Sequence, residues 1–190
     1  MDVDCGNIGS VAVALERLGV EVDRTAGAEA ITSADRVILP GVGNAGYVMR
    51  QIDAKGLAPV LRSLRQPMLG ICLGMQLLFE RSEEEETSGL GIIPGSVRRM
   101  SPTAEFPVPH MGWSKLTIRR PDQALALDDG DYVYFAHSFA CDDGDHVVAT
   151  ADHAEPVPAV VAKANFRGVQ FHPERSSRAG ARAIEAFLSC

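Results

Sequence analysis

The sequence predicts an α/β fold with a mostly parallel central sheet and antiparallel strands in its C-terminal half. Two apolar runs in the first half, Arg36–Gly43 and Met68–Ile71, alternate with helical patterns, as parallel strands covered on both faces do. From residue 96 onward, short strand-like runs follow one another with few helical gaps, which indicates antiparallel pairing. The 190 residues fit one core, so a single domain over residues 1–190 is expected.

The elements of the first half follow from apolar spacing and from the glycine and proline positions. In chain order they are a clipped strand and turn in "MDVDCGN", a helix over Ser10–Leu18, a strand over Val20–Thr25, the strand Arg36–Gly43, helix over 44–64 with breaks near Gly56 and Pro59, the strand Met68–Ile71 and a helix over Leu73–Glu80. The acidic run "ERSEEEETSG" is interpreted as a solvated helix end and loop.

The second half is predicted to be mainly strand. The expected strands lie in "VRRM", "KLTIRR", "DYVYFAHSFA", "HVVATADH", "AVVAKANF" and "GVQFH". Helix returns only over Ala179–Leu188.

Composition excludes several classes of protein. The net charge of -7 disfavours nucleic acid as a partner, because phosphates would be repelled. No apolar run reaches the roughly 18 residues of a membrane span, and no signal peptide is recognisable. The four cysteines include no C-x-x-C pair, so neither a zinc site nor any other metal or cofactor is expected. Free thiols in a chain of this kind indicate the reducing cytoplasm.

Cys72 stands where a buried strand meets a helix, between Gly70 and Gly74. The first N–H groups of a helix stabilise negative charge on a sulfur, and the N–H of Leu73 can face an oxyanion formed beside it. Small neighbours permit the sharp turn, as in the nucleophile elbow of hydrolases. The alternative is a structural cysteine packed in the core.

A nucleophilic cysteine needs a base, and His172 fits best. It follows the strand "GVQF", and residues two apart in an extended chain project to the same side. Pro173 stiffens the backbone between them. Glu174 could therefore accept a hydrogen bond from one imidazole nitrogen while the other faces the sulfur of Cys72.

The remaining histidines are assigned to other roles. His146 and His153 lie in an acidic, turn-rich stretch and are expected to be exposed. A structural role is favoured for His110 and His137.

Three motifs together resemble the class I glutamine amidotransferases, which release ammonia from glutamine through a Cys-His-Glu triad. "LPGVG" (39–43), "GICLGMQ" (70–76) and "GVQFHPE" (168–174) occur in the order typical of that family. The resemblance covers nearly the whole chain and implies a flavodoxin-like, three-layer fold. It also implies that Cys72, His172 and Glu174 form the triad.

The same resemblance implies further roles in the site. The oxyanion would be bound by the N–H of Leu73 and by the turn that contains Gly41, Val42 and Gly43. The residues expected to hold glutamine are Gln76, Glu84, Ser138 and Phe139. A change in the "PGVG" backbone could then switch the activity on or off.

Finer motifs are similar to the glutaminase subunits of imidazole glycerol phosphate synthases, from histidine biosynthesis. They are "PHMGW" (109–113), "YFAHSF" (134–139) and "HPERSS" (172–177). This likeness implies a heterodimer with a separate cyclase subunit, a (β/α)₈ barrel, which uses the ammonia to make imidazole glycerol phosphate and aminoimidazole carboxamide ribonucleotide (AICAR). Glutaminase activity would be weak until that subunit is bound. Trp113, Tyr134 and Arg175 are expected at the interface, where aromatic anchors are common.

Other functions remain open at this point. The chain could be the glutaminase partner of another synthase, such as anthranilate, aminodeoxychorismate, pyridoxal phosphate or GMP synthesis, although "HPERSS" and "PHMGW" argue against it. A flavodoxin-like binding module without catalysis would not need the complete triad. A cysteine peptidase of similar fold would not carry the "HPE" ending.

Overall fold

A computed structural model describes residues 1–3 and 8–190. The strand and turn predicted in "MDVDCGN" lie mostly outside these ranges. Within them, the strands are β1 Val37–Gly41, β2 Met68–Cys72, β3 Arg81–Ser82, β4 Thr87–Ser88, β5 Ser96–Arg99, β6 His110–Ile118, β7 Tyr132–His137, β8 Phe139–Cys141, β9 Val147–His153, β10 Glu155–Lys163 and β11 Phe166–Val169. The α-helices are α1 Ile8–Arg17, α2 Ala28–Ser33, α3 Ala45–Ala54, α4 Leu57–Ser63, α5 Leu73–Gln76 and α6 Ser177–Ser189.

The predicted α/β fold is confirmed, and the main sheet is mixed. Its seven strands run in the order β1-β2-β11-β10-β9-β6-β7, and a smaller sheet has the order β4-β3-β5-β8. In the main sheet, β2 pairs in parallel with β1 on one side and with β11 on the other, and the remaining neighbours pair antiparallel. The antiparallel C-terminal half is as expected, but among the described strands the main sheet is mixed and not mostly parallel, because antiparallel pairing extends over β11, β10, β9, β6 and β7. The parallel pairings are concentrated in the three strands that lead to the candidate site.

The core lies on both faces of the parallel strands. Every residue of β2 is buried. Met68 packs into one hydrophobic cluster, whereas Leu69 and Ile71 pack into the other. Alternating side chains that all meet apolar partners explain why this strand reads as a continuous hydrophobic run.

Helices begin and end largely where the sequence indicates. The break expected near Gly56 separates α3 from α4, and Gly56 has the left-handed conformation at that junction. Asn44 caps α3, because its side chain accepts a hydrogen bond from the N–H of Tyr47 at 2.9 Å. The longest helix described, α6, has 13 residues. The described part of the chain contains no helix that could cross a bilayer.

Two predictions about the first half were wrong. No strand is assigned to Val20–Thr25 within the described residues, where one backbone hydrogen bond, from the Asp2 N–H to the Thr25 carbonyl, joins the segment to the N-terminus. The helix predicted over Leu73–Glu80 ends at Gln76. It ends there because the carbonyls of residues 77–79 accept hydrogen bonds from the N–H groups of residues 90–93 instead of continuing the helix.

The prediction that the acidic run is a helix end and loop was also wrong. It contains β3, a 3₁₀ turn at Glu84–Glu86 and β4. β3 and β4 pair antiparallel, and β3 also pairs with β5. This small sheet fixes the acidic turn beside the main sheet.

Candidate active site

Cys72 occupies a strained turn between β2 and α5. Its backbone angles are φ 53° and ψ -110°, a positive φ that a side chain with a Cβ rarely adopts. A Cβ on Gly70 would come within 2.5 Å of the Gly74 carbonyl oxygen, and one on Gly74 would overlap the Leu39 carbonyl oxygen. Both glycines are therefore needed for the close approach of strand and helix that holds Cys72 in this conformation.

The "PGVG" turn lies directly beside Cys72. Gly41, the last residue of β1, pairs in register with Cys72 in β2. Gly43 has φ 103°, which favours glycine. Leu73 is the first residue of α5, so its N–H has no carbonyl partner within that helix. The predicted oxyanion residues thus adjoin Cys72 across the sheet and along the chain, and Val42 lies between the two glycines in the turn.

His172 and Glu174 meet as the sequence predicts. The Nδ1 of His172 lies 2.9 Å from Oε1 of Glu174. The imidazole also interacts electrostatically with Cys72. Burial lowers the pKa of His172, but its interactions with Cys72 and Glu174 outweigh that effect and raise the pKa to about 10. The raised pKa favours the protonated imidazole, which is the form that can donate a proton.

Ser176 holds the histidine turn against β7, and sequence reasoning missed it. Its hydroxyl donates to the His172 carbonyl at 2.6 Å and accepts from the Tyr134 N–H at 2.9 Å. The His172 N–H in turn donates to the Tyr134 carbonyl at 2.9 Å. The serine within "HPERSS" was the available signal, because a small hydroxyl residue beside a strand-end turn often bonds to its backbone.

Gln76 and Phe139 are joined in the structure. The side-chain amide of Gln76 donates to the Phe139 carbonyl and to Oε1 of Gln170, both at 3.0 Å. Ser138 precedes Phe139, and its carbonyl accepts a hydrogen bond from the N–H of Met100 at 2.9 Å. Gln170 is the second residue that sequence reasoning missed, although it lies inside the quoted "GVQFHPE" motif.

Among the four consecutive glutamates, Glu84 alone reaches the "PGVG" side of the site in the hydrogen bonds of the described residues. Its carboxylate accepts from the N–H of Ala45, at the start of α3, at 2.7 Å. Glu83 instead accepts from the Arg99 N–H, and Glu85 pairs with an exposed arginine. Glu84 therefore lies next to the candidate oxyanion turn.

His110, His137 and His153 pack together in the interior. The expectation that His153 is exposed was therefore wrong. It is buried, because its ring stacks on His110 with centroids 4.1 Å apart and its Nε2 lies 2.9 Å from the Pro107 carbonyl. His146 is half-buried rather than exposed, since its ring packs edge-on against Phe79. Burial is the largest cause that lowers the pKa of His110 to about 3 and that of His137 to about 4.

These lowered pKa values predict a loss of stability in acid. Folding favours neutral His110 and His137, so their contribution is fully present above about pH 6.5 and is lost as the pH falls toward 4 and 3. We expect the free energy of unfolding to fall by on the order of 2–4 kcal/mol between pH 7 and 5. Urea titrations at each pH measure it. The raised pKa of His172 has the opposite effect on stability. Its contribution to the free energy of unfolding is present below about pH 6.5 and is lost as the pH rises toward about 10.

The control for this prediction is a histidine outside the cluster. His110→Gln should flatten the acid dependence, because glutamine keeps hydrogen-bonding groups without titrating. His146→Gln should leave the dependence unchanged. Equal slopes for wild type and His110→Gln would contradict the assignment.

The three predicted interface residues form one surface cluster, in which Trp113 and Arg175 are exposed and Tyr134 is half-buried. Trp113 on β6 pairs with Tyr134 on β7, and their rings meet edge-on with centroids 6.0 Å apart. The guanidinium of Arg175 lies 5.5 Å from the centre of the Tyr134 ring. Trp113 is 51% exposed, and Met111 and Tyr132 beside it are also exposed. Because His172 hydrogen-bonds to the backbone of Tyr134, this face adjoins the candidate triad.

Comparisons with known proteins identify the family. A profile described as glutamine amidotransferase class-I matches residues 2–189. Imidazole glycerol phosphate synthase subunit HisH from Xanthomonas oryzae pv. oryzae is 47% identical over 189 residues, covering 99% of this chain and 94% of that protein. The protein of the same name from Vibrio parahaemolyticus is 40% identical over 195 residues, covering 99% and 95%.

Solved structures agree in fold. One described as a glutamine amidotransferase has a TM-score of 0.75 at 20% identity, covering 97% of this chain and 94% of that one. A glutamine amidotransferase from Thermotoga maritima has a TM-score of 0.60 at 18% identity, covering 100% and 79%. At these identities they support only the flavodoxin-like α/β fold. With a profile match over almost every residue and relatives that are 40–47% identical over nearly their full length, the chain belongs to the class I glutamine amidotransferases and is an enzyme of that family.

Proposed function

We propose that this chain is the glutaminase subunit of an imidazole glycerol phosphate synthase, acting as one domain over residues 1–190. The observation that carries the proposal is the arrangement of Cys72 in a strained turn, electrostatically coupled to His172, whose Nδ1 lies 2.9 Å from Oε1 of Glu174. The names of the relatives that are 40–47% identical over nearly the whole chain support the choice of synthase.

The reaction begins with the sulfur of Cys72. A Cys72 thiolate attacks the side-chain amide carbon of glutamine and forms a C–S bond, while the carbonyl π electrons move to oxygen. The N–H of Leu73 and a donor from the Gly41–Gly43 turn bind that oxyanion. Gln76, Glu84, Ser138 and Phe139 hold the rest of the substrate.

His172 then serves as acid and afterwards as base. Its proton passes to the departing nitrogen as the C–N bond breaks, which releases ammonia and leaves a glutamyl thioester on Cys72. The neutral imidazole next takes a proton from water, whose oxygen attacks the thioester. Glutamate leaves, and the thiolate–imidazolium pair is restored. Glu174 orients the imidazole throughout.

The raised pKa of His172 predicts the alkaline limit of the activity. Since the acid form is populated only below about pH 10, kcat/KM for glutamine should fall as the pH rises through that value. Glu174→Gln removes one group that raises the pKa, so the limit should move about 1–3 pH units lower. Steady-state assays of glutamate release across pH measure both. Glu185→Gln, an exposed change on α6, is the control, and an unmoved limit in Glu174→Gln would count against the role of Glu174.

The ammonia is proposed to pass to a separate (β/α)₈ barrel cyclase as a heterodimer in the cytoplasm. Trp113, Tyr134 and Arg175 form the contact, because Trp113 and Arg175 are exposed, Tyr134 is half-buried between them, and all three adjoin the triad. Cys72 is only 6% exposed, and Gly41 of the "PGVG" turn pairs with it across the sheet, so a shift of this turn would change the surroundings of the sulfur. Partner binding that shifts this turn would therefore raise a weak basal activity.

The experiment reconstitutes the enzyme. Glutamate release is measured for the chain alone, with a purified cyclase subunit from Xanthomonas oryzae, and with that cyclase plus its nucleotide substrate. We expect a weak rate for the chain alone and a rate about 10²–10³ times higher with the substrate-bound cyclase. This is the rate effect of one oxyanion donor. Full-speed hydrolysis without a partner would refute the coupling. Glutaminase activity that responds instead to an anthranilate or GMP synthase partner would assign the chain to another synthase.

A further inference from the structure

Gln170 is a fully buried polar residue that the mechanism above does not use. Its exposure is 0%, and it lies between the end of β11 and His172. Its side-chain Nε2 lies 3.6 Å from the sulfur of Cys72, within hydrogen-bonding distance for sulfur. Its Oε1 accepts a hydrogen bond from Gln76 at 3.0 Å. Both ends of this amide are therefore engaged inside the site.

The orientation of the Gln170 amide is fixed by its neighbours. The Phe139 carbonyl can only accept a hydrogen bond, so the group that Gln76 directs to it must be the NH₂. The same NH₂ faces Gln170, which must answer with its oxygen. The other end of Gln170, its own NH₂, consequently faces the sulfur and donates to it.

The Phe139 carbonyl is itself held by a chain of histidines. His137 must donate to it from Nδ1, at 2.8 Å, so the Nε2 of a neutral His137 accepts from Nδ1 of His110 at 3.1 Å. His110 Nε2 then accepts from the hydroxyl of Ser114 at 2.8 Å. Each atom in this series can therefore be assigned as donor or acceptor in only one way. The series of hydrogen bonds runs from Ser114 on β6 to the carbonyl that orients Gln76.

We propose that Gln170 is a positioning residue of the glutaminase site, which donates a hydrogen bond to the sulfur of Cys72 and holds it opposite His172. The inference rests on the proposed role of Cys72 as nucleophile. The amide transfers no proton, because it is not an acid; it stabilises negative charge on the sulfur and fixes the direction of attack. Removing a hydrogen bond to a charged group in a buried site lowers a rate by about 10- to 100-fold.

The test uses Gln170→Met, which keeps the side-chain length and removes the donor, in the complex with the cyclase. We expect kcat for glutamate release to fall about 10-fold or more, because the amide contacts the nucleophile. Alkylation of Cys72 by iodoacetamide, followed by mass spectrometry across pH, should reach its half-maximal rate at a higher pH. A residue that only fills the core would leave this pH profile unmoved.

Gln66→Met is the matched control, since Gln66 also donates a partly buried hydrogen bond, to the Ile31 carbonyl at 2.9 Å, but lies away from Cys72. It should lower stability and leave kcat and the alkylation profile at wild-type values. Wild-type kcat and an unshifted profile in folded Gln170→Met would overturn the proposal. Failure of the wild-type complex to release glutamate would instead overturn the proposed function, and the alkylation readout does not depend on that reaction.

If Gln170→Met does not fold, the wild-type protein supplies the measurement. The side-chain NH₂ resonance of Gln170 in a ¹⁵N-glutamine-labelled sample should move when Cys72 is alkylated, because its acceptor changes from thiolate to thioether. The resonance of Gln66 should stay in place. A Gln170 resonance that does not respond would overturn the proposal.

Discussion

Cys72→Ala should abolish glutamate release, with a loss of at least about 10⁴-fold in kcat, because no other group can form the thioester. The measurement is glutamate production by the variant in the complete complex. A glutamine analogue that alkylates the nucleophile should label wild type at Cys72 and leave the variant unlabelled. The variant should still bind the cyclase, since the surface cluster around Trp113 is unchanged.

Cys141→Ala is the matched control for this change. Cys141 is also a buried free thiol, but burial raises its pKa well above the usual range and keeps it unreactive. It should retain turnover and labelling at Cys72. Turnover of Cys72→Ala near the wild-type rate would contradict the proposed mechanism, because ammonia release would then not require this sulfur.

Gly74→Ala should destabilise the fold by about 3 kcal/mol or more, since a Cβ there would overlap the carbonyl oxygen of Leu39 in the neighbouring strand. The obstacle is backbone on a buried strand, which no side-chain rotation relieves. Either β1 or the turn at Cys72 must shift, so activity should fall with stability. Urea unfolding monitored by the fluorescence of Trp113 measures the change.

Gly9→Ala is the control for Gly74→Ala. Gly9 lies in α1, and a Cβ there would meet nothing within 4 Å. Alanine in a helix interior stabilises by up to about 1 kcal/mol relative to glycine. Two variants with the same chemical change should therefore shift stability in opposite directions. Equal stability of Gly74→Ala and wild type would contradict the close approach of α5 to β1.

The buried parallel strands and the contact between His172 and Glu174 could be predicted from the sequence because each leaves a local signal. β2 is apolar along its whole length, and Cys72 lies between two glycines that only a tight turn requires. His172 and Glu174 are two residues apart, so a local turn suffices to bring them together; the structure does this through the 3₁₀ turn Pro173–Arg175 and not through the extended chain that was expected. Features of this kind depend on short stretches of chain and general sterics.

Other features depend on contacts between distant segments, which one sequence does not display. Val20–Thr25 alternates like a strand, yet pairing is decided by a neighbour elsewhere in the chain. His153 sits in a polar stretch and is buried only because His110, from another strand, stacks on it. Gln170 was overlooked for the same reason, since its partners are residues 72 and 76 in space and not in sequence.

The exposed face of β6 and β7 has a consequence for the cell that makes this protein. Met111, Trp113 and Tyr132 are more than half exposed, and apolar surface of this kind promotes self-association when it stays uncovered. Surplus copies without a cyclase would be prone to aggregate at high concentration. Balanced synthesis of the two polypeptides, and co-expression in the laboratory, would keep the protein in solution.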